Sequence, residues 1–162
     1  MEYTIHPLIG VNQFTFKEYR NILSSMSSTK TKNTYEESSG SNKFIVDDYG
    51  DFLAYYNYED KKLFYMTFVP LPTVKLIFDG KDLFSMSSRE IYEFLSTYDS
   101  NLFIEDYVGF GSTLLGIDIY TPGFTEDADV KCEGISVAVK GYFDCIYKGN
   151  KLDVTLLTNV KN

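Results

Sequence analysis

The sequence predicts an α+β fold, a tandem repeat of helix plus antiparallel strand meander with both helices packed on one face of the sheet. Three observations predict it: two capped amphipathic segments that match each other, a second matching pair downstream, and strand-period alternation after each. A chain of 162 residues, 44% hydrophobic and 23% charged, is sufficient for one core. It reads as a single compact domain, 1–162, made of two repeats at about 5–78 and 79–157.

The first helix is expected near 15–25 and the second near 87–97, offset by 72 positions. Thr15 with Glu18, and Ser87 with Glu90, have the spacing of a capping box, in which side chain and backbone satisfy each other's unpaired groups at a helix start. Apolar residues follow at helical spacing: Phe16, Tyr19, Ile22 and Leu23 in one, Ile91, Phe94 and Leu95 in the other. Downstream, the hexamer 44–49 aligns with 102–107 at an offset of 58, each ending acidic, acidic, Tyr. Two amphipathic helices match easily by chance, and this hexamer is what favours duplication. The offsets differ by 14 residues, an insertion that places a Ser-rich stretch, 24–43, in the first copy. Its composition buries little, so it reads as a mobile loop.

After each hexamer the period falls to two. Segments 51–58 and 62–69 are aromatic runs joined through Glu59, Asp60 and Lys61 as a hairpin, and 73–78 is a further strand before the turn at Asp79 and Gly80. In the second half 114–120, 134–140, 141–147 and 152–157 read as strands, the last two joined through Lys148, Gly149 and Asn150.

Helices on one face leave the other free. Pairing across Asp60 and Lys61 puts Leu53, Tyr55, Phe64, Met66 and Phe68 in the core, with Ile117, Ile119, Val137, Val139, Phe143, Cys145 and Leu156. Leu63 falls on the opposite side, with Tyr56, Tyr58, Tyr65, Asp118, Tyr120, Tyr142 and Asp144 as the candidate partner-binding residues. Tyrosine is an apolar plate with a polar handle, so mixed with carboxylates it suits docking on a macromolecule. The same positions also favour Tyr through strand propensity alone.

The formal net charge of −8 argues against a phosphate-binding surface and for a basic protein partner, with no nucleic acid. Residues 1–46 hold five basic and four acidic side chains, and 47–162 hold ten and nineteen, so the acidity belongs to the middle and C-terminal regions. No leader pattern or bilayer-length apolar run is present, which makes a soluble cytoplasmic protein with no membrane partner the expectation. Cys132 and Cys145 read as free thiols in that compartment, Cys145 buried and Cys132 in a polar stretch. His6 is the single histidine, without the partners of a triad or zinc site. The glycines at 109 and 111 lack the Lys of a phosphate loop and read as a turn. Adjacent carboxylates Asp47 with Asp48 and Glu105 with Asp106 point to opposite strand faces rather than forming a catalytic pair. No catalysis, cofactor or metal is expected.

The stretch Thr73-Val-Lys-Leu-Ile-Phe-Asp-Gly-Lys-Asp-Leu-Phe-Ser-Met-Ser-Ser-Arg-Glu-Ile-Tyr-Glu-Phe-Leu95 resembles small immunity proteins of bacterial polymorphic toxin systems of the contact-dependent growth inhibition type. Leu115-Gly-Ile-Asp-Ile-Tyr-Thr-Pro122 and Ser136-Val-Ala-Val-Lys-Gly-Tyr-Phe-Asp144 are similar to their later strands. The tandem arrangement is also similar to the β-lactamase inhibitor protein architecture. These resemblances imply a monomeric inhibitor that occludes the active site of a cognate toxin, a basic nuclease being the expected kind, and they assign no contact residue. Alternative readings are a small-ligand sensor or carrier with an aromatic pocket, and an acidic secretion chaperone acting as a dimer.

Overall fold

The computed structural model describes residues 1–147, with side chains through 144. It is mostly β, 41% strand and 15% helix. The first third of the chain forms β1 (Glu2–His6), β2 (Gly10–Val11), β3 (Phe14–Thr15), α1 (Arg20–Met26), β4 (Asn33–Ser39) and β5 (Asn42–Asp48). Next come β6 (Phe52–Asn57), β7 (Leu63–Phe68), β8 (Lys75–Phe78), β9 (Lys81–Asp82), a 3-10 turn and α2 (Ser88–Ser96). The last are β10 (Phe103–Glu105), β11 (Gly109–Ser112), β12 (Ile117–Tyr120), β13 (Gly134–Ala138) and α3 (Tyr142–Tyr147).

These strands make a five-stranded sheet, β3-β2-β1-β8-β9, and an eight-stranded sheet, β10-β11-β12-β13-β7-β6-β5-β4. The large sheet is antiparallel throughout; the small one contains a parallel pair, β1 beside β8. Two meanders, β4 to β7 and β10 to β13, meet where Ile135 lies opposite Phe68.

One face of the large sheet, the inner face, buries Phe52, Ala54, Tyr56, Met66, Phe68, Ile117, Ile119, Ile135 and Val137. The small sheet covers part of it, laying the Tyr3 ring 5.4 Å from both Phe52 and Phe68, and Phe14 5.1 Å from Phe52. Helix α2 covers the rest through Ile91 and Leu95, both fully buried, and through Tyr92 edge-on to Phe110 at 5.2 Å. Each such apolar side chain contributes roughly 1.5–3 kcal/mol on burial.

The repeat fold predicted from sequence is therefore replaced by two packed sheets. The matched hexamers occupy unlike places: 44–49 covers most of buried β5, two strands in from β7, whereas 102–107 contains β10, the half-exposed far edge. The first capping spacing is not used as a cap. Thr15 pairs with Gly10 as strand β3, Lys17 takes φ +71, and α1 begins at Arg20 behind a Tyr19 cap that makes no side-chain bond. Nor are all helices on one face, because Tyr142 of α3 stacks on Tyr65 of the outer face at 5.2 Å. Segment 24–43, read as a loop, contains the end of α1 and all of β4, which pairs with β5 from Asn33 opposite Asp48 to Ser39 opposite Asn42. The glycine-bearing turn expected at 109–112 is strand β11; a Cβ at Gly111 would sit 2.5 Å from the Phe103 ring and from the Ile117 carbonyl, so only glycine allows this approach. The strand expected over 141–147 is helix α3 after Gly141 at φ +88. The expected strand at 152–157, its connecting turn and the side chain of Cys145 lie outside the described residues.

The second capping box forms as read: Ser87 Oγ accepts from Glu90 N at 3.2 Å while the Glu90 carboxylate accepts from Ser87 N at 2.6 Å. Ser87→Ala should therefore lower unfolding free energy by about 1 kcal/mol, seen as a shifted urea midpoint with an unchanged slope. A shift within error would mean that α2 is held by packing alone.

Candidate functional site

The outer face of the large sheet is the surface on which the predicted binding residues can be judged. Strand register sets its rows. Tyr35, Val46, Tyr55, Tyr65 and Ala138 lie in one row, and Asp48, Leu53, Thr67, Ser136, Asp118 and Gly111 in the next.

A β-bulge between Tyr55 and Tyr56 decides which tyrosines are outside. Asn57 brackets the hairpin loop, accepting from Glu59 N through its side chain and pairing its backbone with Lys62. Beyond the bulge, Tyr55 faces Tyr65 and Phe52 faces Phe68, one residue off the register implied by a two-residue loop. A one-residue slip transfers every side chain to the other face. Tyr56 and Leu63 are consequently inner and fully buried, whereas Tyr55 and Leu53 face outward. Phe64, expected in the inner core, instead packs outside against Phe44 and Tyr142, at 5.1 and 5.7 Å.

The remaining predicted residues divide. Tyr65 and Asp118 are half-buried on the outer face and Tyr120, 46% exposed, extends from the same face. Tyr142 reaches the site from α3 instead of a strand, Asp144 lies on the same helix, and both are half-buried. Tyr58 sits in the hairpin loop under Lys43 and Lys61, each ammonium 4.1 Å from its ring centre, apart from the others. Tyr55, Phe44 and Phe64 are the residues sequence reading missed here; the Asn57 side chain, able to hold a four-residue loop, was the available signal.

Between β4 and α3 these residues enclose a cleft of about 210 Å³, lined by Glu37, Phe44, Tyr55, Phe64, Tyr65 and Tyr142. Tyr55 meets Tyr65 edge-on at 5.1 Å, and Tyr65 donates from its hydroxyl to Ser136 Oγ at 2.6 Å, which in turn donates to Thr67 Oγ1 at 3.0 Å. Burial, and then the nearby Glu37 charge, push the Tyr55 hydroxyl above its ordinary range; burial, then Tyr65, do the same to Tyr142. The cleft thus offers ring faces in a negative field with its phenols protonated.

Elsewhere the groups with reactive potential are engaged. Cys132 is buried, not exposed as its polar neighbours implied, and burial pushes its thiol up to about 11, which suppresses thiolate chemistry. Asp47 is fully buried on the inner face, forked by Arg20, while Asp48 accepts from Gly50 N at 2.7 Å. Among the described residues no three His, Cys, Asp or Glu side chains are grouped to hold a metal, and no helix is long and apolar enough to cross a membrane. No family model, curated protein or solved structure matches the chain.

The raised tyrosines make a pH prediction. Tyr3, Tyr55, Tyr56 and Tyr142 are all shifted above 10.0, burial first in each case. Raised folded values mean that the unfolded chain loses these protons first. Their contribution to stability is complete below about pH 10, the unfolded tyrosine value, and declines as pH rises above it. Titration followed at 295 nm should leave these phenols un-ionised until circular dichroism reports unfolding; full reversible ionisation with the fold intact would contradict their burial.

Proposed function

We propose that this chain is an immunity protein, one that binds a cognate bacterial toxin domain and neutralises it by occluding its active site with the outer face of the large sheet. The supporting observation is that face itself, where Tyr55, Tyr65 and Tyr120 stand with Glu37 and Asp118 on the sheet and Tyr142 joins them from α3. Rigid aromatic plates supply contact area at small entropic cost, and the net charge of −8 would steer a basic nuclease toward it. In this reading the protein acts as a cytoplasmic monomer and performs no chemistry of its own.

The test is protection. The chain is co-expressed with the product of the gene immediately upstream as the candidate toxin, and growth is scored beside formation of a one-to-one complex. Restored growth is expected, together with loss of protection in a folded Tyr120→Ala/Tyr142→Ala variant, since a central interface tyrosine is worth about 2 kcal/mol or more when truncated. Failure to protect would end the proposal; full protection by that variant would remove this face from it.

A further inference from the structure

We infer that the cleft between Tyr55, Tyr65 and Tyr142 is a seat for an arginine side chain of the docked protein partner. The inference deepens the immunity reading and rests on it for the source of the arginine, while the chemistry of the seat stands on its own geometry.

Three features specify a cation. Aromatic residues from β5, β6, β7 and α3 line one cleft, with the Tyr65 ring 5.1 Å from Tyr55 and edge-on to it, and 5.2 Å from Tyr142 and tilted against it. The ring face carries negative potential, and a cation over it gains most where water is excluded. Glu37 lines the same cleft and forms no ion pair among the described residues, while its neighbour Glu36 is matched with Lys43 at 2.8 Å. Asp118 adds to the negative field at Tyr65 and Tyr142.

Among the described residues, the protein's own cations lie over other rings and not over those of this cleft. Lys43 and Lys61 share the Tyr58 ring, Lys62 lies over Tyr19 and Lys81 over Phe94, whereas among the described residues none lies over Tyr55, Tyr65 or Tyr142. Lys43 is adjacent to Phe44 in β5 and therefore points to the opposite side of the strand. An external cation is the complement. Arginine fits better than lysine because its planar guanidinium stacks on a ring while its N–H fork meets a carboxylate, and it is more weakly hydrated than an ammonium.

Nuclear magnetic resonance on the whole chain with ring-13C tyrosine tests this directly. The probes are Nα-acetyl-arginine amide and its neutral isostere Nα-acetyl-citrulline amide. Saturable shifts at Tyr55, Tyr65 and Tyr142 are expected with arginine, and affinity about tenfold weaker with citrulline. Glu37→Gln should weaken arginine binding several-fold and leave the thermal midpoint in place, because the residue is exposed. Equal affinity for the two probes, or shifts confined to other tyrosines, would overturn the inference. Choline or spermidine binding a hundredfold tighter than the arginine probe would overturn it as well, by making the cleft a site for small alkylammonium ligands. Because no partner is present, failure here leaves the toxin assay intact, and a failed toxin assay leaves the probe result intact. Loss of arginine binding in Glu37→Gln with undiminished toxin affinity would separate the cleft from docking and reject the assignment.

Discussion

Arg20→Ala should cost the fold about 3–5 kcal/mol, because it strands a buried carboxylate. Asp47 has no exposed side-chain surface, and its two oxygens accept from Arg20 Nε and Nη2, each at 2.7 Å. Thr34 Oγ1 donates to the same carboxylate at 2.7 Å, so three elements, α1, β4 and β5, converge on one charge. Without the guanidinium that charge remains desolvated with a single hydroxyl donor. The buried phenols of Tyr49 and Tyr56 lie close enough for burial, and then nearby charge including Asp47, to push both above their ordinary range. A loss of this size is a large fraction of the roughly 5–15 kcal/mol typical of a domain. Arg20→Lys should fall between, since an ammonium cannot fork. The double variant Arg20→Met/Asp47→Leu should be more stable than either single truncation, because removing both partners leaves no orphan charge. Urea unfolding of the parent protein, Arg20→Ala, Arg20→Lys, the double variant and its two single components measures all of this; a loss below about 1 kcal/mol for Arg20→Ala would class the pair with surface ion pairs.

Phe52→Ala should have a comparable effect, about 3–5 kcal/mol, by a different route. The Phe52 ring, 3% exposed, is stacked 4.7 Å from Tyr49 and lies 5.1 Å from Phe14, 5.2 Å from Phe68 and 5.4 Å from Tyr3. It lies at the centre of the aromatic contact between the two sheets. Truncation opens a cavity between rigid rings that cannot collapse into it, and the loss should be uneven across the fold. Amide exchange should accelerate most in β1, β2 and β3, which depend on this contact, and least at β12 and β13, where Ile117, Ile119, Ile135 and Val137 pack independently of it. Uniform acceleration would show that the sheets unfold as one unit.

What was legible in the sequence was local. The capping box at Ser87 and Glu90 depends on four consecutive residues and formed as read; the identical spacing at Thr15 and Glu18 was overridden when Phe14 and Thr15 paired with β2. Alternation placed Tyr65, Met66, Phe68, Ile117, Asp118, Ile119 and Tyr120 on their proper faces, because each lies in an unbroken stretch of strand. It failed for Tyr56 and Tyr55, where one bulge shifted register, and for Tyr142, where a short helix follows Gly141. Strand β4 carries no apolar period at all. All seven of its side chains are exposed, and it is a strand because β5 offers it a ladder. The candidate face was thus readable as aromatic and acidic, while its membership depended on long-range pairing.

The parallel pairing of β1 with β8 also sets a timetable. Glu2 lies beside Lys75 and Thr4 beside Ile77, so during synthesis β1 must wait for residues more than 70 positions later. At translation rates of about 5–20 residues per second that wait is roughly 4–15 s. The large sheet closes later still, since β7 acquires its second neighbour only when Ile135 reaches Phe68. During that interval the edge of β7 that takes β13 is unpartnered, as is the edge of β1 until β8 is made. Pairings this distant also slow refolding of the finished chain toward the millisecond-to-second range. Newly made protein therefore acquires its outer face last, as the β7 to β13 seam closes beneath Tyr65 and Ser136.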